Sequence, residues 1–167
     1  MTTDYLVQTP FAALSLIAAP AILTNASSVL ALSTSNRFLR AGERMRAVAS
    51  ELQKLPPGDE HSLLLVQASR IERQALLLLT ALRGAYVALG SFAAASLISI
   101  VGAGLAPTSF RVASQVTVGL ALVVGFGGVG GIVMACTHLF RATRLSLLNI
   151  SEEATLIRRR EASRAHR

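Results

Sequence analysis

Three long stretches of the chain contain no charged residue, and they constrain its fold more than any other feature. They lie at residues 5–36, 84–110 and 112–140. Each stretch is longer than the roughly 20 apolar residues that an α-helix needs to cross the hydrocarbon core of a bilayer. We therefore predict an all-α protein with three transmembrane helices. Their approximate bounds are 11–35, 85–105 and 112–137.

The overall composition also favours lipid as the solvent of this chain. Of the 167 residues, 52% are hydrophobic and only 15% are charged, which is unusual for a soluble domain of this size. The net charge of +7 could indicate nucleic acid binding. However, the sequence has no basic face with interleaved aromatics and no reading helix, so we expect a lipid bilayer and no nucleic acid as partner.

The positive charges predict the orientation. Eight of the 16 Lys and Arg residues lie between Arg37 and Arg83, seven lie between Arg141 and Arg167, and one is Arg111. By the positive-inside rule, both basic segments are cytoplasmic. We therefore expect the amino terminus and the turn near Pro107 outside, and the carboxyl terminus in the cytoplasm.

Apolar residues in the basic segments recur at alternating spacings of three and four, which is typical of coiled coils. The Pro-Pro-Gly-Asp sequence at residues 56–59 indicates a turn between two such stripes. The stripes are Phe38, Ala41, Met45, Val48, Leu52 and Leu55, then Leu64, Ala68, Ile71, Ala75, Leu78 and Leu82. We predict a cytoplasmic helical hairpin at residues 36–83 within a single domain, 1–167.

A third cytoplasmic helix is predicted at residues 141–163. Its apolar stripe comprises Leu147, Ile150, Ala154 and Ile157. Because no proline or glycine pair interrupts residues 36–55 or 62–83, we expect the membrane helices to continue into the cytoplasmic ones.

The glycine-rich sequence GFGGVGG at residues 125–131 could bind a phosphate or allow two helices to touch. A phosphate loop needs a preceding strand and usually a charged partner, whereas this run has 13 uncharged residues before it and 9 after it. Gly127 and Gly131 lie four residues apart on one helix face, with Gly128 beside them. We therefore interpret Gly127 and Gly131 as helix-packing positions.

The first predicted span carries a flank of small and polar residues. Its members are Thr24, Asn25, Ser28, Ala31 and Ser35. In a ring of identical copies this flank could line an uncharged polar pore. The alternative is that these hydroxyls bond to their own helix or to a neighbouring one, because no carboxylate or basic residue marks a transport path in any span.

Three arginines follow on one helix face at the cytoplasmic end of this span. Arg37, Arg40 and Arg44 could contact anionic lipid head groups, or surround the mouth of a pore and repel cations. The plainer interpretation is the positive-inside rule together with an ion pair to Glu43.

No constellation for catalysis or metal binding is present in the sequence. His61 and His138 are solitary, and Cys136 has only His138 near it. We predict no catalytic residues, no metal site and no cofactor, and hence no enzyme.

The segment PAILTNASSVLALSTSNRFLRAGERMRAV resembles the start of the membrane family called domain of unknown function 2721. The similarity comprises a proline in the first span, the pair Asn36 and Arg37, and the segment from Glu43 to Arg46. This resemblance implies a three-span bacterial membrane protein without an assigned reaction. We expect the bacterial inner membrane as its location. We expect a homo-oligomeric pore; the alternative is a non-conducting scaffold or regulator that binds a protein partner through its cytoplasmic helices.

Thiol labelling of intact cells tests the predicted orientation. In a Cys136→Ser background, a cysteine placed at Asp59 should resist membrane-impermeant reagents, and one placed at Thr108 should react. The opposite labelling pattern would reverse the topology.

Overall fold

The computed structural model describes residues 10–105 and 111–165, with side-chain surroundings for residues 18–102, 104, 112 and 115–147. The described residues form three helices and no strand: α1 (Pro10–Leu52), α2 (Asp59–Leu105) and α3 (Arg111–Ala165). The all-α fold class is therefore confirmed. Each helix extends beyond its predicted membrane span into the adjoining basic segment, as expected: α1 and α3 after residues 35 and 137, and α2 before residue 85. The turn predicted near Pro107 lies outside the described residues.

The turn between α1 and α2 lies where proline and glycine predict it. Helix α1 ends at Leu52 and α2 begins at Asp59. The backbone N–H of Ser62 donates to Gly58 O at 3.0 Å, and Ser62 Oγ donates to Asp59 O at 2.7 Å. Asp59 and Glu60 occupy the first turn of α2, where the helix dipole favours negative charge.

Two of the helices are long and apolar enough to cross a membrane. The ranges are Asp59–Gly102 in α2 and Gln115–Leu147 in α3, with mean hydropathies of 1.8 and 2.2 over their most apolar 18 residues. Only 33% and 22% of these windows are buried within the protein. Such exposed apolar surface is costly against water and favourable against hydrocarbon. Helix α1 does not meet the same criterion over its described residues, so the first predicted span is not confirmed.

The chain packs as two compact units. The first unit consists of Met1–Ser33 and Leu82–Ala135, and the second consists of Thr34–Ala81 and Cys136–Arg167. These divisions fall within three residues of the predicted span limits at 35, 85 and 137. The first unit thus corresponds to the predicted spans, and the second to the predicted cytoplasmic helices.

Buried positions recur every seven residues along each helix. The series are Ser27, Thr34, Ala41 and Val48 on α1; Ile71, Leu78, Ala85, Phe92 and Ser99 on α2; and Ala121, Gly128, Ala135 and Ala142 on α3. A seven-residue repeat is that of left-handed coiled-coil packing. The stripe predicted for the hairpin is confirmed at Ala41, Val48, Ile71 and Leu78, and it continues into the apolar segments.

In the second unit, the core contact on α3 differs from the prediction. Ala142 packs with Ala41 and Leu78, and Leu139 lies beside this cluster. Leu147, predicted to begin the apolar stripe, is 63% exposed. It lies off the helix face that packs against the other helices, which the seven-residue series through Ala142 marks. The other predicted members of that stripe lie outside the residues whose side chains are described.

In the first unit, α2 and α3 approach closely at glycines. A Cβ atom built at Gly131 would lie 2.8 Å from Gly84 O and 2.9 Å from Ala88 N, and one at Gly84 would lie 2.9 Å from Gly131 O. A Cβ at Gly128 would lie 2.8 Å from the Phe92 ring. Backbone and ring atoms thus occupy the space that side chains at these positions would need.

Only part of the predicted glycine face makes this contact. Gly131 is buried as predicted, but Gly127 is exposed, and a Cβ there would meet only Ser91 Oγ at 4.0 Å. The close contact therefore involves Gly131 and Gly128, and Gly127 lies outside it. One residue of helix corresponds to about 100° of rotation, which separates Gly127 from Gly128.

Two adjacent glycines provide a matched test of this packing. Gly131→Ala should destabilise the protein by about 1–3 kcal/mol, because the new methyl group meets backbone atoms that cannot move independently. A Cβ atom at Gly130 would have nothing within 4 Å, so Gly130→Ala should be neutral or slightly stabilising through helix propensity. Thermal unfolding in detergent compares the two; equal melting temperatures would contradict the packing assignment.

Two neighbouring leucines test the core of the second unit. Leu78 is 2% exposed and Leu76 is 58% exposed. Leu78→Asp should lower the free energy of unfolding by about 3 kcal/mol or more, because it buries an unpaired carboxylate, whereas Leu76→Asp should have little effect. Limited proteolysis and thermal unfolding measure the difference, and similar resistance of both variants would refute the assigned core.

Candidate functional site

The polar flank predicted on α1 is divided by the packing of the first unit. Asn25 and Ser28 are exposed, and Thr24 is half-buried. Ala31 is 5% exposed and packs against Ala85 and Ala135. Ala31 therefore belongs to the contact between helices, and the structure removes it from the predicted pore-lining set. Ser35, which is half-buried, belongs to the second unit.

The hydroxyl groups of this flank bond to their own helix. Thr24 Oγ1 donates to Pro20 O at 2.8 Å, and Ser28 Oγ donates to Thr24 O at 3.0 Å. These bonds satisfy the hydroxyl donors without a partner outside the helix. The exposed side chain of Asn25 has no such bond to any described residue. Asn25 is therefore the member of the flank whose polar atoms still need a partner.

Other polar residues of α1 and α2 lie inside the protein. Ser27 and Thr34 are fully buried, and Ser99 is 3% exposed. Ser27 and Thr34 are sequence neighbours of the polar flank, but they belong to the seven-residue burial series. Extending the repeat of the hairpin backwards from Val48 and Ala41 would have identified both positions.

A groove of about 360 Å³ lies in the second unit and brings together the three arginines predicted as a group. All three helices contribute to its walls. The lining residues are Arg37, Arg40, Ala41 and Arg44 from α1, Ile71, Gln74 and Leu78 from α2, and Ala142, Thr143 and Ser146 from α3. This volume lies in the range of small-molecule sites.

The charge of the groove is not balanced within its walls. Within the part of the chain whose side chains are described, no carboxylate lines it. Among the described residues, Glu43 makes no ion pair with Arg37, Arg40 or Arg44, so the plainer interpretation through Glu43 is not supported. Arg46 lies outside the groove, and its Nε donates to Gly42 O at 3.4 Å.

One arginine of the groove is positioned by a residue of α3. Arg37 Nη1 donates to Thr143 Oγ1 at 3.4 Å, a long hydrogen bond, and Thr143 Oγ1 donates to Leu139 O at 2.9 Å. Guanidinium groups present paired N–H donors that match the oxygens of a phosphate or carboxylate. The described walls of the groove thus combine donors suited to an anion with the apolar side chains of Ala41, Ile71, Leu78 and Ala142.

The sequence indicated the three arginines as a possible site, but it did not indicate the residues of α2 and α3 that form the other walls of the groove. Gln74, Thr143 and Ser146 are ordinary polar residues on helices far from Arg37 in sequence. For Gln74 a signal was available, since it lies seven residues before the buried Ala81, but the buried series of α3 through Ala142 does not include Thr143 or Ser146.

The side chains that could bind a metal ion lie apart from one another in the part of the chain that is described. These residues include no group of three His, Cys, Asp or Glu side chains that could hold a metal ion. Cys136 is exposed, and the Nδ1 atom of His138 is buried without a hydrogen-bond partner among the described residues.

Comparison with known proteins places the chain in a family without assigning an activity. The family described as "Protein of unknown function (DUF2721)" matches residues 17–150, which include the polar flank and the arginine groove. No curated protein and no solved structure matches the chain.

Proposed function

Because the chain belongs to the DUF2721 family, whose description assigns no function, we propose a role from its geometry: it is a membrane protein that assembles with copies of itself through α1. The proposed location is the bacterial inner membrane, with the amino terminus outside and the second unit in the cytoplasm. Neither a catalytic centre nor a cofactor has a part in this role.

The exposed amide of Asn25 is the observation that carries the proposal. Asn25 lies ten residues before the predicted end of the first span, which is about 15 Å along the helix and hence near the middle of the bilayer. A polar amide without hydrogen bonds costs several kcal/mol in hydrocarbon. Another copy of α1, or water between copies, would remove this cost.

A pore is the first form that such an assembly can take. Asn25 and Ser28 are exposed on consecutive turns of α1, so a ring of copies would place amide and hydroxyl groups around its axis. Arg37 and Arg40 follow along the same helix. If they face the axis, their charge favours anions over cations.

A closed assembly is the second form, and a specific observation favours it. Thr24 and Ser28 already donate their hydroxyl protons to α1, and Ala31 is buried within the protomer. Fewer polar groups of the flank are therefore available to contact water in a pore than the sequence indicates. In this form Asn25 bonds to Asn25 of another copy, and the second unit binds a protein partner as a scaffold or regulator.

Two exposed neighbours on α1 test the assembly. Asn25→Leu should weaken association of copies by about tenfold, since interhelical hydrogen bonds in membranes contribute about 1–2 kcal/mol. Ala26→Leu adds similar apolar volume without removing an amide and should leave association unchanged. Light scattering of the detergent-solubilised protein measures both. A monomeric wild type, or equal effects of the two substitutions, would refute assembly through Asn25.

Ion flux then distinguishes the two forms of the assembly. Wild-type protein in liposomes should pass small ions, and Ser28→Leu should abolish this flux while the number of copies stays the same. An assembled wild type that passes no ions over a range of ions and voltages would instead support the closed form.

A further inference from the structure

We propose that the arginine groove of the second unit binds the phosphate group of an acidic phospholipid. Among the residues with described side chains, the groove is lined by three arginines and by no carboxylate, so its described walls present only positive charge to an anion. Arginine forks bind two oxygens of one phosphate at once, which a scattered basic surface does not achieve. This inference requires a membrane protein but not the assembly of copies.

The other walls of the groove suit an amphiphilic ligand. Ala41 and Leu78 are buried core residues among its lining, and Ile71, which also lines it, is 5% exposed. Gln74 and Thr143 add an amide and a hydroxyl beside the arginines. An acidic phospholipid complements these walls. Its phosphate and hydroxyl groups suit the arginines and polar side chains, and its acyl chains suit the apolar ones.

The position of the arginines along α1 favours a lipid over a soluble phosphate compound. Arg37, Arg40 and Arg44 lie two, five and nine residues beyond Ser35, the predicted end of the first span. At 1.5 Å per residue these distances are about 3, 8 and 14 Å. The head-group layer on each side of a bilayer is about 5–8 Å thick. The first two arginines therefore reach the depth of lipid phosphates, and the third lies just beyond them.

Two double variants that each lose two positive charges distinguish a specific lipid site in the groove from general electrostatic attraction to negatively charged lipid. The groove variant is Arg40→Gln with Arg44→Gln. The control is Arg46→Gln with Arg73→Gln, because neither Arg46 nor Arg73 lines the groove. The assay is native mass spectrometry of the full-length protein with phosphatidylglycerol or phosphatidylcholine of identical acyl chains. The groove variant should lose at least about tenfold in phosphatidylglycerol affinity, and the control less than about threefold.

Further arms of the experiment test the chemistry and the source of the phosphate. Arg40→Lys with Arg44→Lys keeps the charge but not the paired donors, so it should bind more weakly than wild type and more strongly than the glutamine variant. Melting temperatures show whether each variant folds. Equal losses in the groove and control variants, or no preference for phosphatidylglycerol, would overturn the proposal. Saturating binding of inorganic phosphate that displaces the lipid at equal concentration would assign the groove to a soluble anion instead.

Discussion

The contact between the backbones of α2 and α3 at Gly84 and Gly131 is the interaction on which the first unit depends. Each glycine leaves room for a main-chain oxygen of the opposite helix, at distances that a side chain would not allow. Between helices in hydrocarbon there is no hydrophobic driving force, so association depends on close packing of this kind. The layer formed by Ala31, Ala85 and Ala135 follows from it, because alanines fill the narrow space between closely spaced helices.

Along α2, the seven-residue repeat changes from large aliphatic residues in the second unit to a small residue at the start of the first. The α2 series changes from Ile71 and Leu78 in the second unit to Ala85 in the first, although Phe92 is accommodated opposite Gly128. Large apolar side chains stabilise helices in water because burial removes their surface from solvent. In a membrane, where the hydrophobic effect does not drive helices together, small residues stabilise helix packing by allowing close contact. This change is the one expected of α2 if the first unit lies in a membrane, whereas α1 and α3 keep the small residues Ala41 and Ala142 in the second unit.

Polar groups in the two units need partners for different reasons. In the first unit the hydroxyls of Thr24 and Ser28 bond within α1, while the amide of Asn25 does not. In the second unit the guanidinium groups of the groove gather positive charge without a carboxylate among the lining residues. In the proposed membrane location, the low dielectric would make the unpaired amide costly, whereas the arginines of the second unit can be solvated and attract anions. These two features carry the proposals for assembly and for lipid binding.

The sequence by itself determined the helices, the turn at Pro56 to Gly58 and the division into an apolar and a basic part. Each of these depends on local composition, such as charge-free length, proline and glycine, or spacing of apolar residues. It also indicated Arg37, Arg40 and Arg44 as a group, since residues on one face of one helix are related by local geometry alone.

Only the tertiary structure decided which residues of each helix face another helix. It selected Gly128 over Gly127, buried Ala31, exposed Leu147 and brought Thr143 beside Arg37. A shift of one residue rotates a side chain by about 100° around the helix, and the apolar segments have hydrophobic residues on all sides. The rotation of each helix is therefore set by contacts with residues distant in the chain, and local composition does not contain that information.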